Sequence, residues 1–313
     1  MNNITYPTNL YATQKDIASN FATTEEDIMV FISILIYMGI VELPSLDDHW
    51  AMTTRVPQVA NLMSSKRFRL LRRTIHFNDN SQLGGTIDRF YKFRPLFSFL
   101  TDAFRHEPQT PKQSIDVVIV EYKGKTAGNL RQYIKNKPDK WGFKLFSKVS
   151  KDGLIHDMIL YQGKTTLPAH GIPLSPEQDV LGVISQIVSV LARTMTLSST
   201  AIFTNNFFTS IELVRYLQAK GIRYTGTARE NRIGNPPLKS AKEMEKKAVP
   251  RAPVPRGSAG DCTYDYLTTD DGILVLRWKD NEPVTVLSTD LGLEPVSKCK
   301  KYSKDTKRKE DVE

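Results

Sequence analysis

Cysteine is nearly absent: the 313-residue chain has two, Cys262 and Cys299. Two cysteines cannot build a disulfide scaffold, and these lack the C-x-x-C spacing of a zinc site. They fit a reducing compartment. Histidine is also sparse, with five scattered residues and no metal-spaced cluster. The apolar stretch Phe31–Ile40 is too short to span a bilayer, and no basic segment precedes it as in a signal peptide. Neither a P-loop nor a G-x-G-x-x-G fingerprint occurs, and there is no G-x-S-x-G elbow. The sequence therefore carries no signature of a membrane segment, a nucleotide-cradling loop or a serine-hydrolase site. What it has is a 40% hydrophobic content, enough for a core, and 43 Lys+Arg against 34 Asp+Glu, a net charge of +9. That excess suits a polyanionic partner and equally suits a solvated basic surface. The length suggests two domains, or one with a large insertion.

The first third reads as helical. Residues 1–23 are polar and expected to wrap the surface. Thr24 and Asp27 form a capping box, followed by Ile28, Phe31, Ile32, Leu35 and Ile36 at helical spacing. A second helix is expected over Ser64–Ile75, with Phe68, Leu71 and Ile75 inside. Lys66, Arg67, Arg69, Arg72 and Arg73 occupy much of its remainder. Five cations on one helix suit phosphate contacts; the plainer reading is a solvated face. The stripe Phe90, Phe93, Phe97, Leu100 and Phe104 reads as a core face, with Pro95 breaking that segment or starting its second helix.

From about Pro111 the pattern turns to strands. Ser114–Tyr122, Trp141–Val149 and Leu154–Tyr161 read as an antiparallel meander, with a turn at Asp152-Gly153. Ser175-Pro176 opens a helix with Val180, Ile184, Ile187, Val188 and Leu191 inside. Ala201–Phe203 is a short apolar strand, Thr209 with Glu212 a capping box for the next helix, and Arg223–Ala228 a further strand. The order is β-β-β-α-β-α-β, an α/β layout. Asn205 and Asn206 thus stand at a strand's C-terminal tip, where α/β folds place their ligands. Residues 230–260 are rich in Pro and Lys and read as an exposed loop. Strand character returns over Tyr264–Leu287, with turns at Asp270-Asp271-Gly272 and Lys279-Asp280-Asn281. The mixed-charge end is expected to be disordered. In LRQYIKNKPDKWGFK, Arg131, Lys135, Lys137, Lys140 and Lys144 surround Tyr133 and Trp141, a basic edge able to hold phosphates.

Several segments, in order, resemble the piggyBac family of DNA transposases and their host-gene derivatives. They are YMGIVELPSLDDHW, SSKRFRLLRRTIHFNDN, SIDVVIVEYKG, LRQYIKNKPDKWGFKLF, LYQGK, FTNNFFTSIELVRYL and ILVLRWKDNEPVTVLST. The resemblance implies a helical dimerisation and DNA-binding domain over 1–110 and an RNase H-like mixed sheet over 111–229. It further implies an insertion domain over 230–297, ahead of the charged tail at 298–313. It implies a nuclear protein whose ancestor held two Mg²⁺ ions on converging carboxylates for phosphodiester transfer.

Asp116 falls where the family places its first acid, in SIDV rather than SIDE. Asn205 falls where the second belongs, in NNFFTS rather than DNFFTS. The third acid is expected beyond RWKDNEPVTVLST, in a segment of the core that these 313 residues do not include. The expectation is an inactive transposase derivative without a cofactor, retaining DNA as a partner and a homodimer interface. The competing readings are a metal-dependent nuclease with a residual site, and a non-enzymatic interaction module or decayed element.

Overall fold

The structure, a computed structural model, describes residues 2–18, 20–124, 126–135, 137–245, 264–279 and 282–293, with the strand residues 299–303 and 308–312. The chain divides into two compact units, Met1–Ala103 and Phe104–Glu313. Among the described residues no helix is long and apolar enough to cross a membrane.

The first unit is helical: α1 (Asn2–Lys15), α2 (Glu25–Ile40), α3 (Pro57–Ala60), α4 (Ser65–Thr74) and the start of α5 (Arg94–Arg105). The polar leader, expected to wrap the surface, is instead largely α1. Its anchor is polar and leaves no apolar period: the Asn9 amide exchanges two 2.9 Å hydrogen bonds with the Thr23 backbone. The Thr24–Asp27 capping box forms as expected. The buried face of α2 is Ile28, Phe31 and Ile34, whereas Leu35 and Ile36, expected inside, are exposed. That helix is apolar almost all round, so periodicity could not select its inner face. Phe31 and Trp50 pack on Phe68 of α4, with ring centroids 5.0 and 5.2 Å away. Ser64 caps α4, and Pro95 lies in the first turn of α5, where its missing N–H is harmless.

The second unit is built on a nine-stranded mixed sheet. Its strands are β1 (Lys112–Glu121), β2 (Gln132–Tyr133), β3 (Trp141–Ser150), β4 (Ile155–Leu160), β5 (Ala201–Thr204), β6 (Arg223–Ala228), β7 (Tyr264–Thr268), β8 (Leu274–Lys279) and β9 (Pro283–Ser288). The order is β2-β3-β1-β5-β6-β9-β8-β7, with β4 also on β3. β1, β3 and β4 form the expected antiparallel meander, and β5 runs parallel to both β1 and β6. The helices are α6 (Thr166–Ala169), α7 (Pro176–Asp179), α8 (Val183–Arg193), α9 (Ile211–Ala219) and α10 (Ala241–Glu245). Ile187, Val188 and Leu191 of α8 and Leu213, Val214 and Leu217 of α9 share one core with Ile115, Val117, Phe146 and Ile202 of the sheet.

Four details differ from the sequence expectation. The helix expected from Ser175 splits into α7 and α8, because Gly182 interrupts it as the N-cap of α8, leaving Val180 exposed. Ser210 caps α9, not Thr209; the Thr209 hydroxyl is engaged with Tyr224 instead. The strands after the Pro/Lys-rich loop do not stand apart, since β9 pairs with β6 and extends the same sheet. The tail, expected to be disordered, contains β10 (Cys299–Ser303) and β11 (Arg308–Val312), paired antiparallel. The Lys279-Asp280-Asn281 turn lies partly outside the described residues.

A charged pair sits inside this unit. Lys148 of β3 lies opposite Asp157 of β4, and both are fully buried. The Lys148 ammonium donates to the Thr194 hydroxyl (2.6 Å), which donates to Asp157 (2.7 Å), and Arg105 lies 3.0 Å from the same carboxylate. Burial pulls the Lys148 pKa down to about 8; Asp157 opposes that shift and Arg105 adds to it. Its folded pKa lies below the unfolded value near 10.5, so the unfolded chain holds the extra proton between those values. Stability contributed at this position therefore rises with pH from about 8 to 10.5 and is level below 8. Lys148→Met, which keeps the Arg105–Asp157 pair, should remove that rise. Chemical denaturation of both proteins across this pH range measures it.

Candidate functional site

The register of β1 and β5 decides what meets at the strand tips. Their last parallel pair is Ile115 opposite Thr204, so the next residues along each strand are Asp116 and Asn205. Ile115 and Val117 point into the core; alternation sends Asp116 to the other face, half exposed. The Asn205 amide Nδ2 donates to Asp116 Oδ1 at 2.9 Å. The same oxygen accepts the Val117 N–H at 2.7 Å. Lys137, from the loop between β2 and β3, places its ammonium 3.3 Å from Oδ2.

The direction of the Asn205 amide is fixed from behind. Its Oδ1 accepts the Phe207 N–H at 2.9 Å, closing a turn of the kind short polar side chains make. Its main-chain oxygen accepts from the Phe208 N–H (3.1 Å) and the Thr209 hydroxyl (3.2 Å). Reversing the amide would set NH₂ against the Phe207 N–H and oxygen against the carboxylate, losing two bonds and gaining two repulsions. Beneath the turn, the buried Tyr224 hydroxyl bonds Thr204 and Thr209. Burial drives its pKa up to about 12, so the phenol stays protonated as a donor. Gly226, opposite Thr204 on β6, leaves room for these hydroxyls; a Cβ there would lie 2.6 Å from Thr209 Oγ1.

These residues do not fit a two-metal centre. Mg²⁺ takes anionic and carbonyl oxygens. Here one carboxylate oxygen faces an amide N–H and the other an ammonium, while the amide oxygen is already committed to the turn. Among the described residues no three His, Cys, Asp or Glu side chains come together. The two blocks differ in strength. The Lys137–Asp116 pair is about one-third and one-half exposed, so it contributes little and a stronger cation could displace it. The amide is held in place, and a cation arriving at Oδ1 would meet its N–H dipole.

Asp116, Asn205 and Lys137 are thus brought together, and Lys137 is a partner of the acid rather than an open phosphate contact. Lys135 and Lys140 are exposed on the same loop, and Arg131 lies over the Trp141 ring at 4.7 Å. Lys144 belongs to the opposite face of β3, half-buried over Tyr161 and Phe207 at 5.6 Å; burial lowers its pKa. On α4, Arg67 is tied to Asp27 (2.7 Å) and the Ala22 carbonyl, and Arg69 to Asp47. Lys66, Arg72 and Arg73 are exposed with no ion pair among the described residues. The Thr204–Thr209–Tyr224 hydroxyls were not anticipated, although a tyrosine in a strand facing two threonines at a turn is a readable signal.

Comparison with known proteins bears on this geometry. A family model described as a transposase of the IS4 type matches residues 1–313, the whole chain. The chain belongs to the piggyBac family of transposases and transposase-derived proteins. The human PiggyBac transposable element-derived protein 3 is 30% identical over 311 residues, covering 97% of this chain and 48% of that protein. The human PiggyBac transposable element-derived protein 2 is 30% identical over 317 residues, covering 100% and 50%. The piggyBac chain thus spans about half the length of the curated relatives it matches. A cryo-EM structure of a piggyBac transposase synaptic complex with hairpin DNA matches with a TM-score of 0.71 at 21% identity, covering 98% of this chain and 60% of that one. The mixed α/β fold is therefore shared with a piggyBac transposase.

The Asn205 reading makes a direct prediction. Asn205→Asp combined with Lys137→Ala replaces both blocks by anionic oxygen or space. Two facing carboxylates should lower the melting temperature in EDTA by a few degrees, and Mn²⁺ should restore it. The unmodified protein should melt at the same temperature in EDTA and in Mn²⁺.

Proposed function

We propose that this chain is a transposase-derived DNA-binding protein whose strand-tip site no longer performs metal-dependent phosphodiester transfer. The observation that carries the reading is the locked Asn205 amide donating to Asp116, where a transposase of this family would set a second carboxylate. An ancestral cut-and-paste activity is consistent with the family. The chemistry of that activity needs anionic oxygens converging on cations, and the residues at this strand tip supply one. The chain's own groups neutralise that acid, so the site works as a structural junction between β1, β5 and the β2–β3 loop.

DNA binding asks less of the sequence. It needs cations free to release counterions from phosphates, without exact coordination geometry. Lys66, Arg72 and Arg73 on α4, and Lys135 and Lys140 on the β2–β3 loop, meet that requirement. The matched structure is a complex of its own protein with hairpin DNA, which supports carrying a DNA partner over to this chain. Among the described residues no zinc finger or groove-reading helix is identifiable, so the contacts are read as phosphate contacts without base readout.

Two measurements test these halves. Nicking and strand transfer with Mg²⁺ or Mn²⁺ should not exceed the level of Asp116→Ala; activity that this substitution abolishes would overturn the inactive reading. Duplex DNA affinity, followed by fluorescence anisotropy, should fall steeply with salt. Replacing Lys66, Arg72 and Arg73 with alanine should lower the salt slope by up to about 3. An unchanged slope would remove α4 from the interface.

A further inference from the structure

The β2–β3 hairpin carries two large aromatic rings that the fold does not bury. Tyr133 pairs directly with Trp141 across the strands, so both side chains lie on one face. Their ring centroids are 5.0 Å apart at 51°, and the residues remain 50% and 46% exposed. Neither belongs to the core of this unit, whereas Ile134, the residue after β2, packs against it. The Arg131 guanidinium lies over the indole at 4.7 Å, and its Nε is buried without a hydrogen-bond partner. Beside them, the Tyr122 N–H donates to the Trp141 carbonyl, and the Tyr122 ring lies 4.8 Å from Phe143. Exposed Lys135 and Lys140 follow on the loop, whose Lys137 reaches Asp116.

We propose that Tyr133 and Trp141 form a stacking platform for unpaired DNA bases, with Arg131, Lys135 and Lys140 holding the adjoining phosphates. Exposed aromatic faces set in a run of cations are what single-strand binding requires, because every base has a π-face and every linker a phosphate. A cross-strand aromatic pair that only stabilised the hairpin would need no unpaired lysines around it and no half-exposed indole. The platform extends the DNA-binding reading given above: α4 offers only cations, which hold a duplex backbone, while this hairpin adds rings that the bases inside a stacked duplex cannot reach. The hairpin therefore discriminates unpaired strand from duplex. The adjoining loop reaches Asp116 only through Lys137, since Trp141 lies six residues along β3 from Ser147, the partner of Asp116.

The test compares a fluorescein-labelled short poly-thymidine strand with a duplex of the same length, both by anisotropy at low salt. The Tyr133→Ala/Trp141→Ala variant should lose about tenfold in affinity for the unpaired strand and keep its duplex affinity within about twofold. Trp141→Phe should retain most of the unpaired-strand affinity, and thermal melting checks that each variant folds. Poly-thymidine should also quench the tryptophan fluorescence of the unmodified protein more than that of Trp141→Phe. Equal losses for both DNAs, or no loss for either, would assign the rings to hairpin packing and overturn the platform. A protein that binds duplex but not the unpaired strand overturns the platform alone and leaves the face to a protein partner. Failure to bind either DNA overturns both the platform and the broader DNA-binding reading.

Discussion

One hydrogen bond organises the strand-tip junction of the second unit: the Asn205 amide donating to Asp116. It exists because β1 and β5 run parallel in a register that ends at Ile115 and Thr204. Everything around it serves to hold the donor in place. The Phe207 N–H fixes the amide oxygen, the Tyr224 and Thr209 hydroxyls fix the turn, and Gly226 leaves space for them. An aspartate in the same place would be held by the same turn, with both oxygens anionic and one facing Asp116. The scaffold is thus equally able to present a carboxylate or an amide, and a single atom type decides between a cation site and a neutral junction.

Lys137 balances the charge of the acid. A lone carboxylate at a strand tip, half exposed, tolerates water; it gains a partly exposed ammonium at 3.3 Å and a fixed N–H at 2.9 Å. The ammonium supplies positive charge without the coordination demands of a metal. The junction therefore links three elements distant in sequence, at residues 116, 137 and 205. Lys148 and Asp157 form a second charged pair inside the same unit, sealed from water and braced by Thr194 and Arg105. That pair has no route to a ligand, and its effect is on the pH dependence of folding.

Much of this was legible in the sequence. The capping box at Thr24, the helix starting near Ser64, the meander and the strand ending before Asn205 follow from local chemistry and periodicity, which short-range geometry enforces. Asp116 and Asn205 could be named because the family pattern marks both positions. That pattern also implies that they converge; the direction of the hydrogen bond between them is set by the parallel register and by the turn after Asn205. The inner face of α2 was unreadable because the helix is apolar on nearly every side. The Thr209 cap was misplaced by one residue because Tyr224, fifteen positions later, claims that hydroxyl. Lys148 could have been flagged: a lysine on the apolar side of WGFKLFSKV needs a buried acid, and LIHDMILY offers one.

Isothermal titration of Mn²⁺ into the unmodified protein and into Asp116→Ala tests the central claim most directly. With the Asn205 amide and the Lys137 ammonium on the carboxylate, the two titrations should be superimposable. Stoichiometric binding heat in the unmodified protein that disappears in Asp116→Ala would show a working cation site at the strand tip and contradict it.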